Sequence, residues 1–354
     1  MRTKVLIVDD SAFTRQILKK ILEQDANIEV AGVASDGVDA MAKTLRLKPD
    51  IITLDFEMPE MDGFSFLRWL MRERPTPVIM VSSHADSKTV FKALELGAVD
   101  FIAKPTRRAS IELQTVEKDL LRKIRGIKDI RMDLLSRNLE LIDSKEDFEP
   151  SAKKTQHTID LVAVGSSTGG PAALQIILTR LPENFHSAVM ISQHMPRGFT
   201  GPLSERLDKL SAIRIKEAED GDHIQPGKVF ICPGGYHMGI RKKGEKSFIS
   251  LKESTLTDKY VPSVDYMMAS VADAFGSNSM GVILTGMGND GKKGMLEIKE
   301  KGGYTIAESE ESAIVFGMPA EAIKAGAVEI ILPISEIPAE VIRMVNNREI
   351  MRRN

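Results

Sequence analysis

The stretch VAVGSSTGGPAAL, residues 162–174, places two serines in a glycine-rich turn between a predicted buried strand and a predicted helix. Backbone N–H groups at the start of such a helix can bind a phosphate. A phosphate-binding loop, however, requires a lysine where this chain has Pro171, and the glycine spacing differs from that of dinucleotide-binding turns. The stretch also spells G-x-S-x-G with Ser167 at its centre, which is typical of a nucleophilic serine on a sharp turn. A turn without chemical function is the third alternative.

A nucleophilic serine needs a base, and the base needs an acid that orients it. His194 is the best candidate for the base, because it alone among the six histidines directly follows a buried strand of the second half, AVMISQ. Asp290 in GVILTGMGNDG is the candidate acid, although an aspartate before a glycine is also a common turn residue. A backbone N–H near Met287 is a candidate oxyanion donor. Cys232, five residues before His237, is an alternative nucleophile, but cysteines at strand ends are more often small hydrophobic residues.

The N-terminal half contains a second set of polar residues, each directly after or at the end of a predicted strand. They are Asp9 and Asp10 after the first strand, Asp55 after the third, Ser82 after the fourth and Lys104 after the fifth. Each could by itself be a solvated loop residue, but parallel strands bring their carboxyl ends to one edge of a sheet. Neighbouring carboxylates raise one another's pKa unless a hard divalent cation lies between them. The set therefore predicts a Mg²⁺ site with an aspartate that can accept a phosphoryl group.

Alternating strands and helices must position both sets of residues. In the N-terminal half the strand candidates are residues 5–8, 30–34, 51–54, 78–81 and 101–103, separated by stretches with helical spacing. In the second half they are residues 159–164, 188–192, 229–232, 281–285, 304–307 and 328–332. Alternation around a Lys-Gly-Glu turn at 243–245 predicts a β-hairpin annexed to the second sheet. We expect two doubly wound α/β domains with mainly parallel sheets.

Length and composition set the limits of this organisation. The 354 residues suffice for two domains, and the charged segment before residue 158 is typical of a linker, which gives domains at 1–125 and 158–350 joined by 126–157. The net charge of -2 gives no reason to expect nucleic-acid binding. One cysteine excludes an internal disulfide. Because the N-terminus lacks a signal region and no apolar run approaches the roughly 20 residues that span a bilayer, we expect a cytoplasmic protein without membrane insertion.

The N-terminal half resembles the receiver domains of two-component response regulators in VLIVDDSAFTR, TLDFEMPEMDGF, IMVSSHA and AVDFIAKP. The resemblance implies a flavodoxin-like fold in which Asp55 is the phosphorylated residue. It also implies that Asp9 and Asp10 hold Mg²⁺ together with Asp55 and the backbone carbonyl of Glu57, and that Lys104 contacts the phosphoryl group.

The same resemblance implies a switch pair, Ser82 and Phe101. The Ser82 hydroxyl would move to the phosphate, and the aromatic ring would follow into the space that it leaves. Plain core packing of Phe101 is the alternative, because aromatic residues in strands usually pack in the core.

The second half resembles the catalytic domain of the chemotaxis protein-glutamate methylesterases in VAVGSSTGGPAAL, ISQHMPRGFT, LTGMGNDGKKGM and VFGMPAEAIKAGAVEIILP. The resemblance implies Ser167 as nucleophile, His194 as base, Asp290 as orienting acid and Met287 as a backbone oxyanion donor. It places Thr168 in the same pocket. The residue before the nucleophile is usually alanine in this family, and here it is Ser166.

The two resemblances together imply a phosphorylation-regulated esterase. It would hydrolyse glutamate methyl esters on chemoreceptors, and also deamidate receptor glutamines, without a cofactor for this chemistry. The phosphoryl donor would be the chemotaxis histidine kinase, and the unphosphorylated receiver would cover the active site. Two other classes of protein are open. One is a response regulator whose second domain is a non-enzymatic receptor adaptor. The other is an oxidoreductase, which is disfavoured because the glycine spacing differs from the dinucleotide-binding motif.

Overall fold

The computed structural model describes residues 2–83, 87–105, 110–127, 130–143 and 159–352. The chain forms two compact units, Met1–Leu139 and Glu140–Asn354. Residues 144–157 of the predicted linker lie outside the described residues, as does His84. The exact boundaries of the two domains and the linker therefore stay predictions.

The first unit is built on a five-stranded parallel sheet in the order β2-β1-β3-β4-β5. Its strands are β1 Thr3–Val8, β2 Ile28–Ala34, β3 Ile51–Leu54, β4 Val78–Ser82 and β5 Asp100–Ala103. The helices are α1 Ala12–Leu22, α2 Gly37–Leu47, α3 Gly63–Glu73, α4 Ser87–Glu95 and α5 Ser110–Ile127, and α6 Met132–Asp143 follows. This strand order is the flavodoxin-like doubly wound order that the sequence predicts.

Short polar side chains start the first three helices of this unit. Ser11, Asp36 and Asp62 each accept a hydrogen bond from the backbone N–H three residues further on, which satisfies a donor that the helix itself leaves free. Because Ser11 caps α1, the chain turns sharply after β1, and Asp9 stays at the carboxyl edge of the sheet.

The second unit is built on a seven-stranded parallel sheet in the order β14-β13-β12-β6-β7-β9-β8. Its strands are β6 Leu161–Ser166, β7 Ala188–Gln193, β8 Arg214–Glu217, β9 Lys228–Ile231, β12 Ser279–Ile283, β13 Tyr304–Glu308 and β14 Ile330–Leu332. Its helices are α7 Gly170–Leu178, α8 Thr200–Leu210, α9 Val264–Phe275, α10 Lys292–Glu300, α11 Met318–Lys324 and α12 Ile337–Arg352. The predicted α/β class is confirmed for both units.

The predicted hairpin is present as β10 Tyr236–Lys243 and β11 Lys246–Glu253. It forms a two-stranded sheet of its own and packs against α9, so it does not extend the seven-stranded sheet as the sequence suggested. Strand β8 is absent from the sequence prediction. Its residues read Arg-Ile-Lys-Glu, and an edge strand with a single buried residue carries too little hydrophobic signal to be recognised.

The three central strands β12, β6 and β7 are buried along their whole length. Connections run from β6 to β7 on one side, while β12 pairs with β6 on the other. The strand order thus reverses at β6, and α/β sheets bind their ligands in the crevice at such a reversal. No helix in the described part of the chain is both long and apolar enough to cross a membrane.

Candidate active site and acidic site

Ser167 begins the turn that joins β6 to α7, and it is buried. Its N–H donates to the Thr285 carbonyl at 3.0 Å, and its carbonyl accepts from the Gly170 N–H at 2.8 Å. Gly169 has a φ of +79°, which a glycine adopts without strain. A Cβ on Gly286 would lie only 2.8 Å from the Ser167 Cβ, so the loop after β12 packs directly against this turn.

The neighbouring Ser166 has a different environment. Its hydroxyl is fully buried and donates to the Gln193 side-chain oxygen at 2.6 Å. The Gln193 amide nitrogen donates to the carbonyls of Ser167 at 2.8 Å and His194 at 3.1 Å. Gln193 therefore links the turn to the end of β7, and only its place before His194 marks it in the sequence.

His194 follows β7 and pairs with Asp290. The distance between His194 Nε2 and Asp290 Oδ2 is 2.8 Å, and both side chains are almost fully buried. An ionised aspartate can only accept, so Nε2 carries the proton and Nδ1 is left as the acceptor. Among the described residues, the buried Nδ1 has no hydrogen-bond partner. The backbone N–H of His194 donates to the Ser166 carbonyl at 3.0 Å, which places the histidine beside the Ser167 turn.

Asp290 is held by the start of α9. Its carboxylate accepts from Val264 N at 2.7 Å, Asp265 N at 2.9 Å and Ser263 Oγ at 3.2 Å. Burial alone would raise the pKa of Asp290, but the hydrogen bonds from His194 and from these N–H groups outweigh burial and hold the pKa below its usual range. The Asp290 carboxylate is therefore charged. Hydrogen bonds from His194 and from the N–H groups at the start of α9 stabilise this charge.

Tyr260 is a further residue at this site that the sequence did not reveal. Its ring stacks on the His194 ring with centroids 5.1 Å apart and an interplanar angle of 8°. It lies in the loop between β11 and α9, which follows no central strand and has no strand or helix periodicity, so no pattern singled it out.

The predicted pocket residues lie in the same two loops. Thr168 is buried, and its carbonyl accepts from the Thr285 hydroxyl at 2.9 Å. Met287 follows Gly286 in the loop after β12 and is half-buried. Their roles as pocket residue and oxyanion donor stay predictions.

Cys232 and His237 do not form a nucleophile–base pair. Burial raises the pKa of the Cys232 thiol far above its usual range, and its sulfur lies near two backbone carbonyls. His237 instead pairs with Asp258 through Nε2 at 3.1 Å and accepts from the Ser263 N–H through Nδ1 at 3.0 Å. A neutral buried thiol is a poor nucleophile, so this alternative loses its basis.

In the first unit, the predicted acidic residues meet at the carboxyl edge of the sheet. One carboxylate oxygen from each of Asp9, Asp10 and Asp55 lies within 4.8 Å of the others. Lys104 Nζ donates to Asp55 Oδ2 at 2.5 Å and lies 3.4 Å from Asp9 Oδ2. The four predicted side chains are therefore brought together.

This acidic site fits a hard divalent cation. Burial, with the Asp55 charge as the second cause, raises the pKa of Asp9 to about 6. Burial also raises the pKa of Asp55, although Lys104 opposes it. Burial would lower the pKa of Lys104, but the hydrogen bond and the attraction to Asp55 outweigh burial and raise it. The buried Asp9 Oδ2 has no hydrogen bond within the described ranges. A buried carboxylate oxygen without a hydrogen bond among the described residues, in a cluster of three carboxylates, suits Mg²⁺.

The remaining predicted residues of this unit are Ser82, Phe101 and Glu57. Ser82, at the end of β4, is buried and donates to the Ser83 carbonyl at 3.1 Å. Phe101 is buried in β5, where the buried Lys123 lies 5.2 Å from the ring centroid and donates to the Phe101 carbonyl. Glu57 is exposed, two residues after Asp55. The switch roles and the Glu57 carbonyl as a ligand stay predictions.

An acidic site of this kind in one unit, and a serine turn beside a buried His–Asp pair in the other, define the class of a response regulator with a hydrolase-like second domain. The response regulator receiver domain model matches residues 5–115, and the CheB methylesterase model matches residues 162–341. A protein-glutamate methylesterase/protein-glutamine glutaminase of Geobacter sulfurreducens is 44% identical, with 97% of each chain covered. One of Pyrococcus abyssi is 41% identical, over 97% of this chain and 94% of its own length.

A solved structure supports the same assignment. The CheB methylesterase catalytic domain of Thermotoga maritima is 42% identical, has a TM-score of 0.52, and covers 53% of this chain and 100% of its own. The chain belongs to the protein-glutamate methylesterase/protein-glutamine glutaminase family, which confirms the resemblance seen in the sequence.

Proposed function

We propose that this protein hydrolyses glutamate methyl esters, and deamidates glutamines, on chemoreceptors, with Ser167, His194 and Asp290 as its catalytic residues. The observation that carries the proposal is the buried His194–Asp290 pair beside the Ser167 turn. Family membership gives the substrate class. The geometry supports acyl transfer, because a base with one nitrogen fixed by an acid and the other available can activate a serine.

The proposed reaction uses His194 Nδ1, which has no hydrogen bond within the described part of the chain. Ser167 Oγ attacks the ester carbonyl while Nδ1 of His194 takes the hydroxyl proton, and Asp290 stabilises the imidazolium that forms. The imidazolium returns the proton to the methoxide as it leaves, so that methanol and an acyl-serine result. Water, deprotonated by the same histidine, then attacks the acyl-serine, and the imidazolium returns the proton to Ser167 Oγ as the acyl C–O bond breaks. The carboxylic acid product ionises to the glutamate carboxylate. For a glutamine substrate, the leaving group is ammonia.

The oxyanion that forms when Ser167 attacks needs hydrogen-bond donors where the Ser167 turn meets the loop after β12. We assign this role to the backbone N–H of Met287, in the loop that packs against the Ser167 turn through Gly286. We also assign Thr168, which is buried in the Ser167 turn, to the lining of this pocket. Donors fixed in a buried loop stabilise developing charge without reorganisation, and one such donor is typically worth about 100- to 1,000-fold in rate.

The acidic site regulates this activity in the proposal. Asp55 takes a phosphoryl group from the phosphohistidine of the chemotaxis kinase, and Lys104 contacts the group and balances its charge. Asp9, Asp10, Asp55 and the carbonyl of Glu57 would hold Mg²⁺, which neutralises phosphoryl oxygens in the transition state. Ser82 and Phe101 would then change position and pass the signal on, and esterase activity would rise.

Methanol release from methylated receptor fragments tests this proposal. The comparison is wild type, Ser167→Ala and Ser166→Ala, each with and without Mg²⁺ and a small phosphodonor. Ser167→Ala should abolish release, with a loss of roughly a million-fold. Ser166→Ala should stay within about tenfold, because its hydroxyl is committed to Gln193. Full activity of Ser167→Ala would refute Ser167 as the nucleophile, whereas a wild type that releases no methanol in any assay would favour a receptor adaptor.

The regulatory part has its own control. Asp55→Asn keeps the size of the side chain but cannot form the acyl phosphate, so it should retain basal release and lose the response to the phosphodonor. Equal stimulation of Asp55→Asn and wild type would contradict Asp55 as the phosphorylated residue.

A further inference from the structure

The Tyr260 ring lies flat against the His194 ring, with an interplanar angle of 8°. The hydrogen bond to Asp290 fixes one point of the imidazole, its Nε2. Since Nδ1 has no hydrogen bond among the described residues, no second in-plane bond sets the rotation of the ring about that point. A flat aromatic contact limits the tilt of the imidazole plane, and the plane decides where Nδ1 points.

The Tyr260 hydroxyl is anchored to the loop that carries Asp290. It donates to Asn289 Oδ1 at 3.0 Å and accepts from the Asn289 N–H at 3.3 Å. A Cβ on Gly288 would lie 2.3 Å from this hydroxyl, and Gly288 has a φ of +91°, so only glycine allows the approach. The loop therefore fixes both partners of His194, the acid at its edge and the aromatic ring at its face.

The same contact suits the charged form of the base. An aromatic face attracts a cation, and His194 becomes an imidazolium during each acyl-transfer step. Among the described residues, the charged and titratable groups near it include Asp290 at its edge, Tyr260 at its face and Lys259, whose ammonium lies 4.8 Å from the Tyr260 centroid.

We infer that Tyr260 is a positioning residue for the proposed reaction, acting through His194: its ring fixes the imidazole plane and its hydroxyl, held by Asn289, fixes the ring. This inference rests on the proposed esterase function. It assigns to the loop before α9 a part in catalysis that neither the sequence pattern nor the His–Asp pair indicates.

The second His–Asp pair supplies a matched control. Tyr266 lies against His237 with centroids 5.7 Å apart, but the rings are tilted by 49°. Hydrogen bonds occupy both nitrogens of His237, so its plane is already fixed. Tyr266 is also 40% exposed. Removing its ring should therefore leave the reaction unchanged.

Steady-state methanol release by the full chain, activated by Mg²⁺ and phosphodonor, tests the inference in Tyr260→Leu, Tyr260→Phe and Tyr266→Leu. Tyr260→Leu should lower kcat roughly 10- to 100-fold with KM within about threefold, because a small misplacement of a catalytic group costs up to about 100-fold. Tyr260→Phe keeps the ring and should recover kcat to within about fivefold of wild type. Tyr266→Leu should match wild type.

A second readout follows the contact itself. The carbon-bound ring protons of His194, assigned by NMR with a His194→Gln spectrum, should show an upfield ring-current shift in wild type and Tyr260→Phe that Tyr260→Leu loses. The inference is overturned if Tyr260→Leu keeps kcat within threefold, if only its KM changes, or if Tyr266→Leu shows an equal loss. Failure of the proposed function looks different, since wild type would then release no more methanol than Ser167→Ala.

Discussion

The acidic site of the first unit and the serine site of the second both lie at the carboxyl edge of a parallel sheet, but their charges are balanced in different ways. Asp290 accepts hydrogen bonds from His194, from Ser263 and from two backbone N–H groups, and its pKa is low. Asp9 has one oxygen without a hydrogen bond among the described residues, and its pKa is raised to about 6.

The difference fits the roles that we propose for the two sites. A carboxylate that orients a histidine must stay charged in every step, so the protein itself surrounds it with donors. A carboxylate that awaits a metal ion must keep a lone pair available, and it bears the cost of burial until the ion arrives. The number of hydrogen bonds that a buried carboxylate accepts thus distinguishes an acid that orients a histidine from a carboxylate that binds a metal ion.

The largest effect that tests this comparison is expected at Asp290. Asp290→Asn replaces a pure acceptor by an amide, which allows the wrong histidine tautomer and should lower kcat for methanol release by roughly 1,000- to 10,000-fold. Asp258→Asn, the matched change at the His237 pair, should stay within about fivefold. Losses of similar size in the two variants would show that the two His–Asp pairs are not functionally distinct.

Glu308 offers a second test of how burial and hydrogen bonds set the pKa of a buried carboxyl. It belongs neither to the His194–Asp290 pair nor to the acidic site. It accepts from Thr285 N and Ser312 Oγ, and burial raises its pKa from 4.5 to about 7. Between these pH values the unfolded chain ionises this group while the folded chain keeps its proton. The free energy of unfolding should therefore fall by about 3 kcal/mol as pH rises through this window.

The Glu308→Gln variant isolates this contribution. In urea unfolding followed by circular dichroism from pH 4.5 to 8, its second-unit transition should depend less on pH than that of wild type. Glu310→Gln, an exposed neighbour, should reproduce wild type. An identical pH dependence in wild type and Glu308→Gln would mean that Glu308 keeps an ordinary pKa.

The smallest effect concerns Mg²⁺ at the acidic site. Because binding requires the ionised form of Asp9, the apparent affinity for Mg²⁺ should weaken up to about tenfold for each pH unit below about 6. Isothermal titration between pH 5 and 7.5 measures this slope. Asp9→Asn should bind weakly and with a smaller slope, whereas an equal affinity of wild type at all pH values would contradict a metal-ligand role for Asp9.

Sequence reasoning located the residues at strand ends well, for a physical reason. A buried strand is a continuous apolar run, and the polar residue that ends it marks the sheet edge, as in Asp9, Asp55, Ser167 and His194. The α/β class and the hairpin followed from the same periodicity. The hairpin's separation from the larger sheet did not, because pairing between distant strands leaves no local pattern.

Residues that act through contacts between loops could not be found in this way. Tyr260 contacts His194 across 66 positions of sequence, from a loop without periodicity. Gln193 was visible only as the last residue of a strand, although its side chain bonds to the Ser167 carbonyl. In the sequence, Ser166 is only a departure from the alanine that is usual in the family, because its hydrogen bond to Gln193 joins residues 27 positions apart.

The close approach of Gly286 to Ser167 has a consequence for how such a chain can change over time. A side chain at position 286 would collide with the serine's own Cβ, and the Ser167 N–H is already bonded to the Thr285 carbonyl. A side chain at position 286 would therefore require the Ser167 turn to shift with it. The two segments lie more than 100 residues apart in the chain, yet they pack together as one structural unit. A graft of this active site into another α/β scaffold would have to carry both.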